Sequence, residues 1–216
     1  MKERRVIPEL LDHLPPDDPA ARRSRADLRR INFLMGNERW VLRALRGHPQ
    51  AIARGLTELG AGDGSLAVKI ARRFPRCQVR VHDLVPPPTL PRDVADRIDW
   101  CRGDVFEHPP AAAGVLVANL FLHHFQGDAL QRLGEICRNF DVLVINEPDR
   151  SRLAATLGRA LWPVINHVTR HDMIVSIRAG FRRGELPAML GLDPAGWQWH
   201  ETSTWRGARR VLAWRT

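Results

Sequence analysis

"TELGAGDGSL" occupies residues 57–66. Gly60, Gly62 and Gly64 stand at every second position, just after a short apolar run that carries Glu58. A glycine cluster lets the chain turn through left-handed backbone and lets that backbone approach a ligand closely. Two common nucleotide signatures do not fit. The dinucleotide fingerprint G-x-G-x-x-G would need glycine at position 65, where the chain has Ser65. A phosphate loop would need Gly-Lys-Ser/Thr, which does not follow. The spacing here is G-x-G-x-G, with Glu58 two residues ahead of the first glycine.

Outward from this turn the chain alternates. Residues 55–59 read as a short buried strand and 65–74 as a helix, with apolar residues at helical spacing. Strands are expected at 77–84, 97–105, 113–122 and 141–148, and a helix at 128–140. The apolar run "AGVLVANLFL" suits a parallel strand covered on both faces. "VPPPTLPRDV" (85–94) has too many prolines for a long helix. After a helical stretch over about 150–192, residues 196–205 and 208–215 alternate on either side of Arg206-Gly207, the pattern of a β-hairpin. The expectation is a doubly wound α/β sheet with a terminal antiparallel hairpin. Residues 1–50 form a helical cap and 51–216 the main domain, with a helical lid inserted at about 150–192.

Bulk composition narrows the function. The 216 residues suit one domain with a sizeable core. No apolar run reaches the roughly 18–20 residues that span a bilayer, and the basic N-terminus has no apolar stretch behind it, so no secretory signal is expected. Cys77, Cys101 and Cys137 are widely spaced and odd in number, which reads as reduced residues of a cytoplasmic protein. The net charge of +9 points toward nucleic acid, but the arginines are dispersed. Their densest group, "ARRSRADLRR" (21–30), reads as a solvated helix face, with a docking surface for an anionic partner as the alternative.

The stretch E-L-G-A-G-D-G resembles the first motif of class I S-adenosylmethionine-dependent methyltransferases. Asp83 lies near the end of the second expected strand, and "GDV" (103–105) follows the third. With five strands, a helical insert and a terminal hairpin, the resemblance covers roughly residues 55–215 and implies a Rossmann-like seven-stranded sheet. It also implies that Glu58, Gly60, Ala61 and Gly62 cradle S-adenosylmethionine. Asp83 and Leu84 then sit at the ribose, Asp104 and Val105 at the adenine, and Asn119 where the cofactor pocket opens onto the substrate. No metal is expected.

The acceptor is a separate question. The Asn/Asp-Pro-Pro-aromatic motif of amino-methylating enzymes is missing after the fourth strand, where the chain reads "ANLFLHHF" (118–125). None of the three cysteines lies where a base-carbon methyltransferase needs its nucleophile, so nucleic acid is not the expected partner. One branch of small-molecule O-methyltransferases carries His-Asp-Trp in this loop, and its histidine takes a phenolic proton. By position His123 matches that histidine, and His124 replaces the aspartate. Imidazole suits proton removal near neutral pH. His167 and His171, in the lid, are expected to line an acceptor pocket for an aromatic or lipid-like hydroxyl, while Asp172 reads as a cap for the helix that follows. An RNA or protein methyltransferase that uses the arginine surface is the alternative.

Overall fold

The computed structural model describes residues 3–15 and 17–216. Four helices come first: α1 (Leu10–His13), α2 (Pro19–Met35), α3 (Asn37–Leu45) and α4 (Pro49–Ala53). Then β1 (Leu56–Leu59), α5 (Ser65–Arg73), β2 (Val79–Asp83), β3 (Ile98–Arg102), β4 (Val115–Asn119), α6 (Gly127–Cys137) and β5 (Val142–Pro148) alternate as expected. The tail holds α7 (Arg152–Ala160), α8 (His167–Ala179), α9 (Glu185–Met189), β6 (Trp197–Ser203) and β7 (Ala208–Arg215).

The strands form one sheet in the order β3-β2-β1-β4-β5-β7-β6. The first five run parallel, and β7 enters antiparallel against β5 and pairs with β6 as the hairpin. The chain leaves β1 toward one edge and β4 toward the other, so the carboxyl ends of β1 and β4 flank the switch point where open α/β sheets bind ligands.

Both faces of the sheet are covered, which explains why β4 is apolar from Val115 to Ala118. Val115 and Val117 pack with α3, α4 and α5, whereas Leu116 and Ala118 pack with α6 and α9. This is the two-residue alternation of a strand read against two cores. α5 buries Leu66, Ala67, Ile70 and Ala71 on one stripe and leaves Arg72 and Arg73 to solvent. The boundary expected at residue 50 falls inside α4. Ala51 and Ile52 share one core with Val41 and Leu45 of the preceding helix and with Leu56 of β1.

The N-terminal helices also reach the lid. α2 opens on the Asp18 side chain, which accepts from the N–H groups of Ala20 and Ala21, with Pro19 in the first turn. Its buried stripe is partly polar: Ala21, Ser24 and Asp27. The Thr169 hydroxyl of α8 lies 3.0 Å from Ser24 Oγ and 3.3 Å from Asp27 Oδ2. Asp27 also accepts from the Asn166 N–H, and the Asn166 amide donates to the Ala20 carbonyl. Arg22, Arg23, Arg29 and Arg30 point outward, which agrees with a solvated face. No helix among the described residues is long and apolar enough to cross a membrane. All three cysteines are free.

Candidate functional site

Two clusters stand at the carboxyl ends of the central strands. The first is the glycine turn after β1. Gly60, Gly62 and Gly64 have φ of 68°, 57° and 72°, left-handed backbone that glycine adopts without the strain a side chain would bring. Their surroundings differ. A Cβ on Gly60 would fall 2.3 Å from Phe121 Cδ2, whereas on Gly62 it would meet no heavy atom of the described residues within 4 Å. Gly60 is therefore required by the packing of Phe121, and Gly62 is the glycine that faces open space. The Gly62 N–H donates to Asp83 Oδ2 at 2.7 Å, and the Val85 N–H donates to Asp83 Oδ1 at 3.0 Å. Asp83 thus braces the turn against the end of β2.

Glu58 lies beneath this turn, 2% exposed. Its Oε2 has no hydrogen-bond partner among the described residues. Burial, together with the charges of Asp83, Glu38 and Asp63, pushes its carboxyl up to about 8. Glu38 accepts from Ser65 Oγ and pairs with Lys69, tying α3 to the first turns of α5. Arg29 of α2 lies 3.6 Å from Asp63. The N-terminal helices therefore close over the turn.

The remaining cofactor candidates divide. Leu84 is exposed beside Asp83, while Val105 turns its side chain into the core. Asp104 Oδ1 accepts from the Phe106 N–H at 2.8 Å. Ala61 packs partly against the core next to β1. Asn119 Oδ1 accepts from the Asn146 amide at 2.9 Å, joining the ends of β4 and β5. Leu120 follows with φ of 59°, a costly conformation for a branched residue. It turns the chain sharply out of the sheet.

The second cluster is built on the 3₁₀ turn Leu122–His124. Glu147, at the end of β5 and wholly buried, binds that turn. Its carboxylate accepts from the N–H groups of Phe121, Leu122 and His123 and lies 2.8 Å from His123 Nδ1. Glu9, from the N-terminal segment, stands 3.5 Å from the other ring nitrogen, Nε2, and Ser176 Oγ donates to it. Burial lowers the His123 pKa, but the hydrogen bonds and charges of Glu147 and Glu9 raise it further, to about 9. His124 stacks 4.2 Å away, and burial plus the His123 charge hold its pKa below the usual range. The near-neutral ionisation expected of His123 is thus corrected upward, because two carboxylates face it. Ligating atoms of Glu9, His123 and His124 lie within 4.8 Å of one another. Within this group His123, with its raised pKa, and Glu9 form an ion pair.

The lid histidines are placed unequally. His171 is 2.9 Å from Asp172, whose buried carboxylate accepts from the N–H groups of Leu10 and Leu11. Asp172 therefore caps the N-terminus of α1 and not its own helix, which Asn166 caps through the Thr169 N–H. His167 is exposed one turn earlier on α8. Glu147 and Glu9 were not among the sequence candidates. Glu147 carries the same signal as Glu58, an acid at the end of an apolar strand; no local pattern marks Glu9.

Residues 34–147 match the family model of the O-methyltransferase domain. Cephaeline 6'-O-methyltransferase of Carapichea ipecacuanha is 30% identical over 86 residues, covering 39% of this chain and 24% of that protein. Acetylserotonin O-methyltransferase of Mus musculus is 30% identical over 131 residues, covering 54% and 34%. The chain thus spans about a quarter to a third of the length of these curated relatives. Among solved structures, the plantazolicin methyltransferase BpumL in complex with an analogue and SAH has a TM-score of 0.67 at 9% identity, covering 92% of this chain and 91% of that one. Human N-acetylserotonin methyltransferase in complex with SAM has a TM-score of 0.55 at 18% identity, covering 94% and 60%. At these identities the structural likeness establishes the fold, and the family match extends over more than half of the sequence, so the chain belongs to the O-methyltransferase domain family.

Proposed function

We propose that this domain transfers a methyl group from S-adenosylmethionine to a hydroxyl of a small aromatic or lipid-like molecule in the cytoplasm. The observation that carries the reading is Glu58, a buried carboxyl with an unpartnered oxygen under a glycine turn. A cofactor bearing positive charge suits a turn ringed by Glu58, Asp83, Asp63 and Glu38. Bound there, it supplies an electrophilic methyl group on a sulfonium. Gly60, Ala61 and Gly62 form the turn beneath it, and Asp83 holds that turn and offers its remaining lone pairs to the ribose hydroxyls. Leu84, Asp104 and Val105 line the adenine end, Val105 through its backbone. Asn119 marks the acceptor side.

His123 is the group that takes the acceptor proton. Nδ1 is engaged by Glu147, so the work falls to Nε2. His124 stacks on the His123 ring, and His167 and His171 of the lid are the residues we assign to the acceptor pocket. Holding acceptor and methyl group in line supplies much of the remaining rate.

The test has two arms. Calorimetry with S-adenosylhomocysteine should show binding to the wild type and at least about tenfold weaker binding to Asp83→Asn, which loses charge-assisted bonds. Binding of a nicotinamide dinucleotide in its place would sink the reading. In the second arm, His123→Ala should lower kcat by about 10²–10⁴-fold with cofactor affinity unchanged. The groups facing His123 are Glu9, Glu147 and His124, while Arg4 donates to its carbonyl. The wild-type rate should therefore rise with pH through about 9, and this limb should vanish in His123→Ala. If only His124→Ala loses activity, the proton passes to His124.

A further inference from the structure

Residues Arg4–Leu11 run across the histidine turn and α8, a place that no sequence motif assigns to them. Arg4 donates to the Ala179 carbonyl at 2.7 Å and to the His123 carbonyl at 3.1 Å, and its guanidinium lies over the Phe181 ring. The Arg5 N–H donates to the Arg178 carbonyl at 3.2 Å. The N–H groups of Leu10 and Leu11 are held by Asp172 at 2.8 and 3.0 Å. These anchors fix Glu9 between them, with its side chain only 12% exposed.

Glu9 faces the one His123 nitrogen that Glu147 leaves for an acceptor. At 3.5 Å from Nε2, it leaves no room for a third oxygen between the two groups. An acceptor hydroxyl that reaches Nε2 must therefore take this contact away from Glu9. The anchors keep the displaced carboxylate close by, largely out of water. A buried carboxylate stripped of its partner is strongly unfavourable. Ser176 supplies one donor, and a second has to come from whatever displaced the contact.

We infer that Glu9 is a specificity-determining residue that selects acceptors bearing a second hydrogen-bond donor next to the methylated hydroxyl, such as a vicinal dihydroxyarene. One hydroxyl meets His123 Nε2 and its neighbour donates to the Glu9 carboxylate. This rests on the methyl-transfer reading for the identity of the reacting hydroxyl. The recognition itself can be measured without turnover. A site built to hydrogen-bond a hydroxyl discriminates strongly against the analogue that lacks it, because its own polar group is left unpaired.

The experiment uses 4-nitrocatechol and 4-nitrophenol, coloured probes of similar size and acidity that differ by one hydroxyl. Each is titrated spectroscopically into the 216-residue chain with S-adenosylhomocysteine present. The wild type should bind 4-nitrocatechol at least about tenfold more tightly, a difference of about 1.4 kcal/mol. In Glu9→Ala the two affinities should converge, through weaker binding of 4-nitrocatechol and little change for 4-nitrophenol. Glu9→Gln, which keeps a neutral acceptor, should fall between. Equal affinities in the wild type, a preference that survives in Glu9→Ala, or binding of neither probe would each overturn the assignment. Calorimetry of S-adenosylhomocysteine on the same samples reports separately on the cofactor site on which the methyl-transfer reading rests. A preserved catechol preference without cofactor binding would sink that reading and leave Glu9's role standing.

Discussion

The glycine turn after β1 and the histidine turn after β4 sit side by side on the sheet, yet their hydrogen bonding is opposite. Glu58 lies under the first with an unpartnered oxygen and a carboxyl pushed up to about 8. Glu147 lies under the second with both oxygens engaged. A buried polar group left unpaired is costly unless a ligand completes it, whereas one that is satisfied internally fixes a shape. On the proposed reading, the first turn is finished by the cofactor. The second is finished by the chain itself, partly from its own N-terminal segment.

The comparison breaks most readily at Glu147. Replacing it with alanine leaves three backbone N–H groups unpaired and the charged His123 with Glu9 alone. The expected loss is about 3–5 kcal/mol of stability, read by chemical denaturation. A loss below about 1 kcal/mol would mean that the histidine turn holds itself up.

The two central glycines sharpen the contrast. Gly62→Ala meets open space, so its cost should be the left-handed backbone alone, about 1–2 kcal/mol. Gly60→Ala carries the same strain and also presses on the Phe121 ring, adding about 1–3 kcal/mol. Thermal unfolding of the pair should rank Gly60→Ala as the less stable. The reverse order would show that Phe121 yields easily.

The smallest effect expected is the pH dependence at Glu58. Its folded-state pKa is raised, so the unliganded protein loses stability as pH climbs from about 4.5 toward about 8. Binding a cation favours the ionised carboxylate and should strengthen over the upper part of that range. Affinity for S-adenosylmethionine, which carries the sulfonium charge, should grow several-fold between pH 6.5 and 8.5 in the wild type and stay level in Glu58→Gln. Calorimetry at the two pH values checks this, and a flat wild-type response would show that the Glu58 carboxyl does not meet the ligand's charge.

Much of the sheet was legible in the sequence because its signals are local. The two-residue alternation of β2 and β7, the apolar run of β4 and the glycines after β1 each declare themselves within ten residues. Contacts between distant residues left no such trace. Glu9 meets His123 across more than a hundred positions, and Asp172 caps a helix 162 residues away. Phe121 explains Gly60 only once β4 lies next to β1. Asp27 reads as one more charge on a polar helix until Thr169 is seen against it. The His123 pKa was misjudged for the same reason, since both carboxylates that raise it come from elsewhere in the chain.

The seam between α2 and α8 has a consequence for biosynthesis. Ala20 and Asn166 are 146 residues apart. At about 5–20 residues per second, a ribosome takes on the order of ten seconds or more to supply the second partner after the first has emerged. During that interval the surface that α8 offers to α2 is missing. Its inward stripe of Ala21, Ser24 and Asp27, unlike a stripe of leucines, can wait in water without recruiting another nascent chain.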